Sequence, residues 1–405
     1  MMNFLMNQEN KDMLLNYYAV ISNDLELYIP ILGLSLVLVA SLIFLGFRKK
    51  EPLVRNKKKV VIVGGGVAGS VLAKNLQDLA HVYLIDPKEF FDITWASLRC
   101  MVEPSFAEKT IIKHNEYAPN ANIVCSTAVG VTENEVKTEK GNAIAYDYLV
   151  VATGHNDTTP STKQEKLSIF QSDQDKIKAA NGVLIVGGGP TGVELAAEIA
   201  SAFPGKKVTL VNRGSRLLEF IGEKASNKAL EWLTAKKVEV ILGQSVDLNS
   251  SSNGVYKTSG GESVVADCHF LCTGKPLGSS WLRESLLKDC LDSEGRLMVN
   301  PDMRVKGHSN VFAIGDITDV KELKQGYLAQ MHADVVGKNI KLLMQGKDKL
   351  SSYKGGPQMA VISLGKKEGV AQIASFTISG RIPGMMKSGD LFVSKTRKTL
   401  GLKSA

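Results

Sequence analysis

The sequence predicts an α/β protein with two Rossmann-like dinucleotide-binding domains, one inserted in the other. A C-terminal α+β region follows them, and an N-terminal transmembrane helix precedes them. Three observations carry that reading. "VVIVGGGVAGSVLAKNL" from Val60 and "VLIVGGGPTGVELAAEI" from Val183 are near-copies 123 residues apart. Each is an apolar strand, a glycine turn and a helical pattern, the order that builds a nucleotide-binding crossover. Tyr28–Phe47, "YIPILGLSLVLVASLIFLGF", runs 20 residues without a charge, about 30 Å as a helix and the thickness of a bilayer's hydrocarbon.

Charge orders the ends. Residues 1–27 form a polar leader of net charge −3, and "RKKEPLVRNKKK" (48–59) carries +6. A signal peptide would begin basic and have a shorter apolar run, so 28–47 is read as a single-pass anchor. Basic flanks stay on the cytoplasmic side, which places the catalytic part in the cytosol. Residues 376–405 carry +5 and mix Ile, Met, Leu and Phe with six basic residues, while 60–375 sum to zero. A neutral body argues against a nucleic-acid-binding core; basic, partly apolar ends suit anionic headgroups.

In the first copy, Lys59–Val63 reads as a strand, Gly64, Gly65 and Gly66 as the turn, and Ser70–Leu76 as helix. Gly64 permits the tight turn, Gly66 lets backbone approach a pyrophosphate, and Gly69 lets helix meet strand. The free N–H groups of the helix start then face phosphate charge. The next strand ends at Asp86, 20 residues past Gly66, where a carboxylate accepts from a ribose diol. The second copy repeats this with Gly187, Gly189 and Gly192, but its second strand ends at Asn212, followed by Arg213 and Arg216. Without the carboxylate, a 2′-phosphate is not repelled, so this site is expected to take NADPH at least as well as NADH; a merely solvated Arg213 is the alternative. Two such sites suggest FAD fixed in the first and NAD(P)H visiting the second. "YDYLVVATG", ending at Gly154, and "CHFLCTG", ending at Gly274, close each unit where bulk would meet cofactor. "SNVFAIGDITD" brings Asp316 to flavin ribityl hydroxyls, ahead of a helical pattern over Ala329–Leu343.

The cysteines, Cys100, Cys125, Cys268, Cys272 and Cys290, form no CxxC pair or zinc-like cluster. Cys100 lies 31 residues after Gly69, roughly where oxidases and peroxidases of this architecture place a redox thiol. A peroxide or thiol acceptor is therefore one alternative, and a buried unreactive thiol the other.

The motif order resembles the two-dinucleotide-binding flavoprotein reductases. "SLRCMVEPSFAEKTII", "GHSNVFAIGDITDV", "YLAQMHADVVGKNI" and "SGDLFVSKTRKTLG" resemble, within them, the ferroptosis-suppressor and apoptosis-inducing-factor-homologue family. The resemblance runs from about Lys58 to Leu402. It implies an FAD-dependent NAD(P)H:quinone oxidoreductase with an antioxidant role, whose partners are NAD(P)H, a membrane quinone, the lipid bilayer and a second copy of the chain. It places Gly64, Gly66, Gly69, Asp86, Arg99, Val129 and Asp316 on FAD, and Gly187, Gly189, Gly192 and Glu194 on the nicotinamide side. Glu194, expected inside its helix's first turn, would sit by the nicotinamide, or else only balance the helix dipole. Lys354 in "YKGG" would sit by flavin and acceptor. The long anchor departs from the family, which meets membranes through an acyl group. Some relatives are described as DNA-binding death effectors, a reading the neutral body disfavours. The implied boundaries are 58–160 and 285–345 for the FAD domain, 161–284 for the NAD(P) domain, and 346–405 for a membrane- and acceptor-facing region.

Overall fold

The computed structural model describes residues 57–156, 160–250 and 254–404. The expected transmembrane run lies outside them; among the described residues no helix is long and apolar enough to cross a membrane.

The chain opens with β1 (Lys59–Val63), α1 (Val67–Leu76), β2 (His81–Asp86), β3 (Asn122–Cys125) and β4 (Tyr148–Val151). It then repeats the theme with β5 (Gly182–Val186), α2 (Pro190–Ala202), β6 (Lys207–Asn212), β7 (Val238–Leu242) and β8 (Cys268–Leu271). After these come β9 (Val311–Ala313) and α3 (Gly326–Met344), then β10 (Met359–Leu364), β11 (Glu368–Ile373) and β12 (Phe376–Gly380). The first sheet has the order β9-β4-β1-β2-β3 and is parallel throughout; the second, β7-β6-β5-β8, is also parallel. Because β9 returns to pair with β4, the second unit is an insertion in the first. The central strands are continuous apolar runs (Val60–Val63, Val183–Val186) because layers cover both faces.

α1 and α3 pack on one face of the first sheet through Leu72, Leu76, Val336 and Ile340, all buried. Gly337 lets them close: a Cβ there would lie 3.3 Å from Leu72. Both helices start earlier than the apolar pattern suggests, at Val67 and Gly326, because each follows an extended residue that turns the chain straight into the helix. Gly326 is compelled to be small, since a Cβ there would meet the Trp95 ring at 2.5 Å.

The antiparallel sheet β10-β11-β12 packs on the second unit, and the segment after it reaches the first. Ala360, Ile362, Leu364 and Val370 join the core of the second unit, while Leu391, Val393 and Leu400 join that of the first. The tail is therefore anchored in the body at these residues. Its outer edge is different: Phe376 is 75% exposed and Met385 84%, with Ile373, Ile378 and Ile382 also exposed.

Candidate functional site: two matched glycine loops and a pocket beside them

The two glycine loops are built from one set of contacts. Gly64 and Gly187 hold φ of +105° and +115°, and a Cβ would lie 2.5 Å from the Ala152 carbonyl oxygen or 2.6 Å from that of Cys272. Those carbonyls belong to the ATG and CTG segments, so each closing motif seats its own loop. A Cβ on Gly69 or Gly192 would run into the carbonyl of the first glycine. Gly66 and Gly189 are the opposite case: each has ordinary extended backbone, begins a helix without a side-chain cap, and would place a Cβ against nothing. Uncapped amides beside open space suit a pyrophosphate, so both loops fit dinucleotides.

In the first loop, Asp86 is buried and accepts the Gly65 N–H at 2.6 Å and the Lys88 N–H at 2.8 Å. Behind it, Ser70 donates to the Gly65 carbonyl, Tyr117 to Ser70, and the His114 ring lies 2.6 Å from Tyr117. Burial pushes His114 down, which keeps the ring neutral. Val129 falls in a bulge of the strand Ala128–Val131, where Ala128 and Gly130 pair with Thr138 and Lys137. Its backbone is thereby released from the ladder, a position that can read an adenine edge. Asp316 follows β9 with His155 3.3 Å away. Gly154 (φ +49°) accepts the Gly278 N–H, and Thr153 donates to the Gly278 carbonyl, so the crossing between units runs beside this turn.

In the second loop, Asn212 takes the place of Asp86, accepting the Gly188 N–H at 2.9 Å and donating to the carbonyls of Gly214 and Arg216. Arg216 is spent on the carbonyls of Leu218, Glu219 and Ile221. Arg213 remains exposed beside the loop, and Gly274 (φ +95°) ends the segment that closes it.

Glu194 lies in the second turn of α2, since Pro190 is the first helical residue. It is buried, and its Oε1 accepts the Ser363 N–H at 2.7 Å and Lys387 Nζ at 2.6 Å. One turn on, Glu198 meets Arg99. Arg99 is buried, with Nε and Nη2 on Glu198, Nη1 on the Gly389 carbonyl and Nη2 also on that of Gly365. The structure thus brings Arg99 to α2 and the C-terminal region, and not to the first glycine loop.

A cavity of about 750 Å³ opens where three segments meet: Phe220 and Ile221 after β6, residues 299–328 around the start of α3, and residues 353–374. Tyr353, Gly355 and Gly356 line it, and Lys354 between them is exposed at its edge. The start of α3 lines it as well, through Gln325, Tyr327 and Leu328. Here three side chains converge that no single motif brings together. Tyr353 donates to Glu322 Oε2 at 2.6 Å, and His332 Nε2 stands 2.9 Å from Glu322 Oε1. His332 Nδ1 accepts the Gly315 N–H at 3.0 Å, which leaves the ring proton on Nε2. Burial pushes His332 down to about 4, so the ring is neutral.

Cys100 is wholly buried, and burial pushes its thiol up to about 12. A thiol held in that form is a poor nucleophile. Accordingly, Cys100→Ser is expected to leave turnover unchanged, and iodoacetamide to leave Cys100 unlabelled in the folded enzyme; peptide mapping after alkylation checks both site and extent.

A family model described as pyridine nucleotide-disulphide oxidoreductase matches residues 58–333. Apoptosis-inducing factor homolog A of Dictyostelium discoideum is 33% identical over 372 residues, covering 84% of this chain and 91% of that protein. Ferroptosis suppressor protein 1 of Homo sapiens is 33% identical over 357 residues, covering 84% and 95%. Among solved structures, the sulfide:quinone oxidoreductase of Aquifex aeolicus superposes with a TM-score of 0.67 over 84% of this chain and 92% of its own, at 19% identity.

Proposed function

The chain belongs to the pyridine nucleotide-disulphide oxidoreductase family as an NAD(P)H-dependent flavin oxidoreductase, and on that premise we propose that it passes electrons from NAD(P)H through FAD to a membrane quinone. Bound in the first site, FAD supplies the two-electron exchange between nicotinamide and acceptor. The chain's own part is to bind and align. Gly66 and the amides opening α1 hold the pyrophosphate, Asp86 the adenosine ribose, the Val129 bulge the adenine, and Asp316 the ribityl chain. Gly189 and α2 hold the nicotinamide dinucleotide. Asn212 offers no carboxylate at the ribose and Arg213 stands free for a 2′-phosphate, which supports NADPH as a substrate at least equal to NADH. Glu194, fixed by Lys387 and Ser363, belongs beside the nicotinamide ring, and Lys354 beside the acceptor.

The observation that carries the quinone reading is the pocket together with its rim. Phe220 in its wall is exposed, and Gln372 and Ala374 in its lining flank Ile373 on the hairpin that leads to Phe376. An apolar edge of this kind suits a lipid surface and a lipophilic acceptor. The uncharged run Tyr28–Phe47 would tether the cytosolic catalytic part to that surface as a single-pass anchor.

Anaerobic stopped-flow on the purified full chain tests the acceptor. The flavin is expected to bleach with NADPH at least as fast as with NADH, and to be reoxidised by a short-chain ubiquinone far faster than by oxygen or peroxide. Fast peroxide and slow quinone reoxidation would overturn the reading.

A further inference from the structure

We propose that Tyr353, backed by Glu322 and His332, delivers a proton to the quinone oxygen in the pocket; this rests on the quinone reading above. Reducing a quinone to a quinol adds two electrons and two protons to its two carbonyl oxygens. NAD(P)H releases two electrons and one proton as hydride, so the second proton must come from another donor. The net reaction is NAD(P)H, a proton and quinone giving NAD(P)⁺ and quinol.

Tyr353 and Glu322 both line the cavity, and no dinucleotide-binding motif requires either. The phenol sits at 2.6 Å from the carboxylate, close to the length of a charge-assisted O–H···O bond. In the resting arrangement Tyr353 donates to Glu322. When Glu322 takes a proton from water in the pocket, the same contact reverses: the carboxyl donates to Oη, and the phenolic O–H turns to the cavity. In the step itself, the Oη–H bond breaks as an O–H bond forms on the quinone. Oη then takes the Glu322 proton, and water restores it to the carboxyl.

His332 has a different part. Its Nδ1 is occupied by the Gly315 N–H, and its ring edges onto Tyr353 at 4.4 Å between centroids. It is a positioning residue that packs against the Tyr353 ring beside Glu322 and ties the relay to the Gly315–Asp316 turn. Burial and the bond to Glu322 push the Tyr353 phenol up, so it keeps its proton until an acceptor takes it. Of the charged groups around Glu322, Lys324 is committed to the carbonyls of Thr318 and Val320, and Asp316, Asp319 and Arg296 lie along the same loops. Tyr327, the remaining phenol in the lining, spends its hydroxyl on the Pro357 carbonyl.

The test compares two acceptors on the FAD-loaded full chain. Short-chain ubiquinone needs protons; ferricyanide takes single electrons and none. For Tyr353→Phe, flavin content, bleaching by NADPH and reoxidation by ferricyanide are expected to match wild type, while reoxidation by ubiquinone slows about 100-fold, the scale of a lost general acid. Glu322→Gln is expected to slow the quinone limb likewise, and the wild-type quinone limb alone to slow in heavy water. Equal slowing with both acceptors would show a structural role and overturn the proposal, as would an unchanged quinone rate in Tyr353→Phe. If wild type reduces ferricyanide but no quinone, it is the acceptor reading that fails, and the relay with it.

Discussion

Gly66→Val is expected to give a folded, colourless protein, and Gly189→Val a folded, yellow protein that NAD(P)H bleaches far more slowly than wild type. Most glycines in such loops cannot separate structure from ligand binding, because adding a side chain damages both. Gly64 is one of these, with φ of +105° and the Ala152 carbonyl 2.5 Å from any added Cβ. Gly66 and Gly189 are free of that conflict. Their φ values of −73° and −75° suit any residue, and a Cβ at either meets nothing in the protein. A valine there intrudes only on the space where a pyrophosphate would lie against the helix start. Folding is therefore expected to survive, with circular dichroism and melting close to wild type, while the bound group is expelled. For Gly66→Val the loss is expected to be complete at purification. For Gly189→Val, kcat/KM for NAD(P)H should fall by about 100-fold or more, the scale of an ångström-level misplacement of a reactant. The pair also tests which loop holds which cofactor: a colourless Gly189→Val beside a yellow Gly66→Val would exchange the two assignments.

Those loops were legible because their strand, turn and helix are local, although the Ala152 and Cys272 carbonyls that seat them are not. Strand, turn, helix and second strand fall within one run of chain, and each glycine's reason is met by a residue of the same unit. The closing ATG and CTG segments were legible for a related reason, since a small residue and a glycine after an apolar strand leave few other readings. What the chain did not disclose are the charges that meet only through topology. Arg99 and Glu198 are 99 residues apart, and Lys387 and Glu194 are 193 apart. No spacing rule links them. How the tail packs was not legible either: Leu391, Val393 and Leu400 complete the first core, while Lys395 and Lys398 between them stay at the surface. The edge strand and the turn after it are exposed as well, through Phe376, Ile378, Ile382 and Met385. Tyr353, Glu322 and His332 come from three separate segments and converge only once α3 packs, so the motifs that contain Tyr353 and His332 gave no sign of the group. Cys100 shows the reverse, a suggestive position that burial makes chemically quiet.

Arg99→Met is expected to destabilise the protein by about 3–5 kcal/mol, the range for removing one partner of a buried ion pair. The reason lies in α2, which carries two carboxylates one turn apart, Glu194 and Glu198, both buried. Like charges at that spacing disfavour a helix even in water, and burial removes the solvent that would screen them. Each is matched by a cation from another part of the chain: Lys387 from the C-terminal region for Glu194, and Arg99 from the first unit for Glu198. Removing Arg99 strands Glu198 and also withdraws the donors that hold the Gly365 and Gly389 carbonyls. Its effects should therefore reach the C-terminal region, leaving Trp95 to hold the Leu391 carbonyl without its neighbour. In limited trypsinolysis, cleavage after Lys387 and Lys395 is expected to appear earlier than in wild type. The double variant Arg99→Met/Glu198→Leu separates charge from strapping. It should recover much of the melting temperature, because an apolar pair can replace a buried ion pair at little cost, but not the resistance to trypsin, because the two carbonyls still lack their donors. If the double variant melts no higher than Arg99→Met alone, the stranded carboxylate is not what destabilises it, and the contacts of Arg99 with the C-terminal carbonyls carry the larger share.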